Sequence, residues 1–219
     1  MIQAVVFDLD GILIDSEHVW DEVRQQLAEE RGGRWNESAS RDMMGMSSPE
    51  WSRYMRDVVG LTEEPGEISA EVVRRLEDRY RGELPLIAGA EQAVERVAER
   101  WPLALASSSN RELIDLVLES SGLGSHFETS VSSEEVARGK PAPDVFLEAA
   151  RRLGAEPTRC AAVEDSENGI LAAKAAGMRT IAIPNPQYPP HDEALAAADA
   201  VLATIGDLVP AVVEPRFAR

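Results

Sequence analysis

The segment Val5-Val6-Phe7-Asp8-Leu9-Asp10-Gly11-Ile12-Leu13-Ile14-Asp15-Ser16 decides the fold. It is an apolar strand that ends on two carboxylates, with a glycine directly after them. Residues i and i+2 of a strand point to one side, so Asp8 and Asp10 face the same way. A strand that delivers two acids into a glycine-softened turn makes poor core and good chemistry. Such a pair can bind a hard cation through oxygen. Alternatively, one acid attacks an electrophile while the other handles a proton.

Working outward, further strand-like apolar runs lie at 103–106, 160–163, 180–183 and 200–202, with a weaker one at 127–131. Helical patterns separate them at 91–100, 110–121, 143–153 and 166–176. Asn110 is a good N-cap, and Gly122, Gly154 and Gly177 are natural stops. This alternation predicts an α/β fold with a doubly wound, mostly parallel sheet and helices on both faces. Such sheets bind ligands at the carboxyl ends of their strands. The stretch 17–85 breaks the pattern and reads as helices only, at 17–30, 38–44, 49–59 and 68–81. The expected organisation is therefore a core of residues 1–16 and 86–219 with an inserted helical cap of residues 17–85. The hinges fall at 15–17 and 83–89, a placement that suits a lid over Asp8 and Asp10. Residues 184–190 read as a proline-rich loop and 214–219 as a frayed tail.

Composition narrows the function. The 219 residues carry a net charge of −17, which argues against nucleic acid and anionic membranes, both of which need excess lysine and arginine. A small phosphorylated ligand stays open, because a local cation overrides the global field. No apolar run has the length of a membrane span, and the N-terminus lacks a basic leader region. Cys160 is the only cysteine, so no intrachain disulfide forms, which fits a reducing cytoplasm. Its apolar neighbours suggest an inert core thiol.

Three other strand ends carry polar groups. Ser107-Ser108-Ser109-Asn110 puts hydroxyls and free N–H groups at a helix start, which is either an anion site or ordinary capping. Gly139-Lys140-Pro141-Ala142-Pro143-Asp144 presents one of only two lysines, the other being Lys174. Its prolines fix the approach of Lys140, which either pairs with phosphate and Asp8 or is a solvated surface residue. Val163-Glu164-Asp165-Ser166 places two acids at a strand end, suited to a divalent metal or to a helix N-terminus.

Taken in order, the DxDG strand end, the serine-rich strand end, the GKP loop and the Glu164-Asp165-Ser166-Glu167-Asn168-Gly169-Ile170 segment resemble the haloacid dehalogenase-like superfamily of phosphohydrolases. The resemblance covers nearly the whole chain. The helical insertion resembles the small cap of the phosphoglycolate phosphatase and β-phosphoglucomutase branch. It implies a Rossmann-like core and a Mg²⁺-dependent phosphatase acting on a small phosphorylated metabolite, either a sugar phosphate or a phosphorylated acid. Asp8 would become an aspartyl-phosphate, while Asp10 would protonate the leaving alcohol and then deprotonate water. Ser107 and Lys140 would hold the phosphoryl group. Asp8, the Asp10 carbonyl and Asp165 would bind Mg²⁺, with Glu164 in support. Gly11, Ser108, Asn110 and His18 are the candidate substrate-binding residues, and the oligomeric expectation is a monomer or small homo-oligomer. The free-acid pKa of about 3.9 predicts an ionised Asp8 at neutral pH.

The chief rival is a β-phosphoglucomutase-like mutase. Such enzymes place an arginine just after a Gly-x-Ser turn of the cap, where Gly45-Met46-Ser47-Ser48-Pro49 has Ser48. A dehalogenase would lack Asp10. A receiver-like signalling module would have neither the long insertion nor the second acid. The cap is expected to choose the substrate through His18, Trp20, Met43, Met46, Trp51 and Arg53, although Trp20 also fits plain core packing.

Overall fold

The computed structural model describes residues 1–36, 38–43 and 46–215. Six parallel strands form one sheet in the order β3-β2-β1-β4-β5-β6: β1 (Ala4–Phe7), β2 (Leu103–Ser107), β3 (Phe127–Ser132), β4 (Cys160–Glu164), β5 (Arg179–Ala182) and β6 (Ala200–Val201). The order reverses beside β1, which pairs with β2 on one side and β4 on the other. A ligand crevice forms at the carboxyl edge of a sheet where such a reversal occurs. Phe7 is level with Leu105 and Val163, so Asp8 and Glu164 leave the sheet side by side, with Ser107 one residue further along β2.

Alternation along β1 explains the layers. Val5 and Phe7 join the larger apolar core, where Phe7 meets Phe127 edge to face at 6.0 Å. Ala4 and Val6 join the other face with Ala104, Ala106, Phe146 and Cys160. Both faces of the central strands are covered, which is why they read as continuous apolar runs. Burial pushes the Cys160 thiol up to about 11, so it is an inert core group, as expected.

Between β1 and β2 the chain is helical: α1 (Glu17–Glu30), α2 (Ala39–Met43), α3 (Ser48–Tyr54), α4 (Pro65–Gly82) and α5 (Ala90–Ala98). α3 continues as a π-helical turn over Met55–Val59 that stops at left-handed Gly60. The chain leaves and re-enters the core side by side. The Asp15 N–H donates to the Pro85 carbonyl at 2.8 Å and the Ile87 N–H to the Leu13 carbonyl at 2.9 Å. After β2 come α6 (Arg111–Ser121), α7 (Asp144–Arg152) and α8 (Glu167–Ala175). α6 starts with Asn110 at the N-cap position, though without a side-chain cap hydrogen bond, and is closed by left-handed Gly122.

Two short helices, α9 (Asp192–Ala197) and α10 (Pro210–Val213), were not anticipated. The expected frayed tail needs partial correction. Glu214 accepts a hydrogen bond from the Ile2 N–H at 2.6 Å, which ties it to the sheet; residues 216–219 lie outside the described part. Among the described residues no helix is long and apolar enough to cross a membrane.

Candidate active site

β1, β2 and β4 and the loop before α7 bring Asp8, Ser107, Glu164, Asp165 and Lys140 together. Lys140 is 3% exposed, not a solvated surface residue. Its Nζ lies 2.9 Å from Asp8 Oδ1 and 2.5 Å from Glu164 Oε1, and it donates to the Ala106 carbonyl at 3.1 Å. Burial alone would push the ammonium toward neutrality. Asp8 and Glu164 outweigh that and hold it charged, above the ordinary lysine value. The other oxygen of Glu164 accepts from the Asp165 N–H at 3.0 Å, the Ser166 N–H at 3.2 Å and the Ser166 hydroxyl at 3.1 Å. Ser166 is the N-cap of α8 and accepts from the Gly169 N–H, so the capping role falls to it and Asp165 is free for other work.

Ligand oxygens of Asp8, Glu164 and Asp165 all lie within 4.8 Å of one another. Asp165 Oδ2 is buried and has no hydrogen-bond partner. A hard cation bound by oxygen would satisfy it, so the residues present fit a divalent metal. The expectation that Asp8 has an ordinary carboxyl pKa is corrected here. Burial and repulsion from Glu164 push it well above the usual range despite Lys140. Asp165 is raised by burial, Glu164 and Asp8.

These shifts have a measurable sign. Between the ordinary carboxyl value and the raised folded value, the native state holds more protons than the unfolded chain, so stability falls as pH rises. Melting temperatures taken in EDTA are therefore expected to drop as pH climbs through the raised range of Asp8 and Asp165. Added Mg²⁺ is expected to flatten that drop; an identical pH profile with and without Mg²⁺ contradicts the metal-site assignment.

Two glycines make room for this cluster. Gly11 has φ +73°, and a Cβ there would sit 2.0 Å from Asp165 Oδ2. A Cβ on Gly169 would sit 1.8 Å from Glu164 Oε1. Gly11→Ala is expected to displace Asp165 and lower kcat/KM on the order of 10²-fold, with a rise in the Mg²⁺ concentration needed for half-maximal rate. A Mg²⁺ titration of the variant checks this.

Asp10 lines the same cavity but is held by a different set of groups. Ser16 Oγ donates to Oδ1 at 2.5 Å and Trp20 Nε1 to the same oxygen at 3.3 Å. Ser109 Oγ donates to Oδ2 at 2.6 Å, and Ser107 Oγ lies 3.4 Å from it. Ser132 and Ser133, at and just past the end of β3, brace the serine loop by donating to the Ser109 and Ser108 carbonyls. Trp20 therefore packs and also reaches the site. Ser109 of the serine-rich strand end belongs to the site, and so do Ser16, Glu17 and Arg24, which were missed. The available signal was the spacing of Glu17, Trp20 and Arg24, three and four residues apart on one face of α1.

The cap closes over Asp8 and Asp10 with Glu17, Trp20, Arg24, Met43, Met46 and Trp51, leaving a cavity of about 50 Å³ that Ser108 also lines. Two expected substrate contacts need correction. His18 lies off the site-facing stripe of α1; its ring is 48% exposed and 3.9 Å from Asp15, outside the cavity. Asn110 bridges cap and core instead, accepting from Ser48 Oγ at 2.8 Å and donating to Glu134 at 2.7 Å. Arg53 faces a separate groove between α3, α4 and α6.

The model of the haloacid dehalogenase-like hydrolases matches residues 2–177. Hexitol phosphatase B of Escherichia coli is 32% identical, with 94% of each chain covered. A probable pseudouridine-5'-phosphatase of Drosophila melanogaster is also 32% identical, over 94% of this chain and 90% of that one. A mutant CbbY from Rhodobacter sphaeroides, solved with xylulose-(1,5)bisphosphate, superposes with a TM-score of 0.86 at 28% identity, covering 97% and 99%. The chain belongs to the haloacid dehalogenase-like hydrolases and is an enzyme of that family.

Proposed function

We propose that this enzyme hydrolyses phosphate monoesters of small metabolites through a phosphorylated Asp8. The observation that carries the reading is the meeting of two carboxylates with different surroundings, Asp8 against Lys140 and Asp10 amid hydroxyls, in one small cavity. In the first half-reaction an Asp8 oxygen attacks phosphorus, the ester P–O bond breaks, and Asp10 gives its proton to the departing alkoxide oxygen. In the second, Asp10 takes a proton from water as the water oxygen attacks phosphorus. Asp8 is released and inorganic phosphate leaves. Ser107 and Lys140 hold the phosphoryl oxygens and stabilise their charge.

Asp8, Asp165 and the Asp10 carbonyl are the proposed Mg²⁺ holders, and the bound ion would offset the charge of phosphate and carboxylates. Glu164 supports them by fixing Lys140 and the Asp165 backbone. Residues 17–85 act as the cap, hinged where Asp15 meets Pro85. At about 50 Å³ the cavity is far below the 300–1,000 Å³ usual for a ligand site, so substrate enters when the cap swings away. The lone buried thiol of Cys160 supports a reducing, cytoplasmic setting.

A β-phosphoglucomutase-like mutase would hold its second phosphate on an arginine just after the Gly-x-Ser turn of the cap, where this chain has Ser48. Ser48 donates to Asn110 instead, which favours hydrolysis; Gly45 of that turn lies outside the described residues. The test is phosphate release from hexitol phosphates, 2-phosphoglycolate, β-glucose 1-phosphate and an aryl phosphate, with Mg²⁺ and with EDTA. Mg²⁺-dependent release supports the reading. Isomerisation of β-glucose 1-phosphate without release would replace it with the mutase.

A further inference from the structure

Arg24 is a second cation in the catalytic cavity, and none of the steps above uses it. It lies on the site-facing side of α1 and is 5% exposed. Its guanidinium sits 4.5 Å from the Trp20 ring centroid and 4.8 Å from that of Trp51. The two rings meet edge to face at 5.9 Å. Buried charges are ordinarily paired. Here, among the described residues, no carboxylate oxygen lies within 4.0 Å of the guanidinium, and Nε is buried without a hydrogen-bond partner. Glu17 and Asp21 of α1, Asp10 of the core and Tyr80 of α4 face it from farther away. Lys140, by contrast, is taken up by Asp8 and Glu164. The cavity therefore holds one uncommitted positive charge, on its cap side.

We propose that Arg24, clamped by Trp20 and Trp51, binds a second anionic group on the substrate's leaving-group side, so that preferred substrates are short phosphate monoesters bearing a carboxylate or second phosphate. This rests on the phosphatase reading above. The indole faces stabilise the cation without consuming its N–H donors, which leaves the guanidinium fork preorganised for a carboxylate or phosphate. A neutral leaving group would close the cap on an unpaired buried charge, and sites built to bind a polar group reject analogues that lack it. Arg24 and Asp8 line the same cavity, which keeps the spacer between the two anionic groups short.

The test compares kcat/KM within two matched pairs, 2-phosphoglycolate against 2-hydroxyethyl phosphate and 1,3-propanediol bisphosphate against 3-hydroxypropyl phosphate. Wild type is expected to favour the anionic member of at least one pair by about tenfold or more, and the pair that responds identifies carboxylate or phosphate. Arg24→Gln, or Arg24→Met if the glutamine variant does not fold, is expected to bring that ratio to within about twofold of unity. Arg24→Lys is expected to retain part of it. A purely structural clamp would lower all four rates together and leave the ratios unchanged. That result, or wild-type ratios at or below one in both pairs, overturns the proposal. An aryl phosphate run alongside separates the two readings. Turnover of it without discrimination in the pairs refutes the role of Arg24 alone, whereas inertness of every ester refutes the phosphatase itself.

Discussion

Asp8→Asn is expected to abolish turnover, on the order of 10⁴-fold or more, while the protein folds as before. The amide keeps the shape of the side chain but cannot form the bond to phosphorus. Because Asp8 is buried beside Glu164, its charge is held against repulsion. Removing that charge also removes an attraction to Lys140, 2.9 Å away. The two effects oppose each other, so the change in stability is expected to stay within about 1–2 kcal/mol. Steady-state phosphate release and a thermal melt, run on the same sample, check both halves. Turnover near the wild-type rate would refute the nucleophile assignment, and an unfolded variant would show that Asp8 is structural as well.

Lys140→Met is expected to lose activity and stability together. The lysine neutralises two buried carboxylates, one fully inaccessible. Breaking a buried ion pair by removing one partner costs about 3–5 kcal/mol, because a charge is left uncompensated. For a chain of this size that is a fall in Tm of roughly 6–20 °C. Mg²⁺ is expected to restore part of the loss, since a cation held by Asp8 and Asp165 relieves the same repulsion. Lowering the pH is expected to do likewise, because protonating Asp8 or Asp165 removes the charge that Lys140 balanced. A melting temperature unmoved by the substitution would mean that the ion pair is not what settles these acids in the core. Either way, the contrast between the two variants separates the reacting carboxylate from the cation that positions it.

The sheet was legible because its central strands are buried on both faces. β1, β2 and β4 show as unbroken apolar runs, and each ends on residues proposed to do the chemistry. The helices α1, α6 and α8 were legible from their stripes and caps, with Asn110 and Ser166 at the starts where expected. α9 and α10 were not, because each spans under two turns beside prolines and leaves little periodicity to read. Within the site, Asp8, Lys140, Glu164 and Asp165 could be named because each stands at a strand end or in its stiffened loop. What the one-dimensional pattern could not convey was pairing. Nothing in the spacing of residues 140 and 164 says that their side chains meet at 2.5 Å. The hydroxyl ring around Asp10 draws on Ser16 of the first motif and Ser109 of the second, brought together only by the parallel register. Asn110 looked like a phosphate contact because a helix start binds anions, yet its side chain is spent joining Ser48 to Glu134. His18 is close to the motif in sequence, but helix phase turns it away from the cavity that Trp20 and Arg24 line.

Covalent capture of the phosphoryl group on Asp8 is the central claim. The most direct measurement mixes enzyme, Mg²⁺ and whichever ester the panel identifies, quenches in acid within milliseconds, and maps the protein by mass spectrometry. The account predicts one HPO₃ added to the peptide holding Asp8, sensitive to hydroxylamine and absent from Asp8→Asn. Steady turnover with no phosphorylated peptide at any quench time, or phosphorylation at another residue, would contradict it.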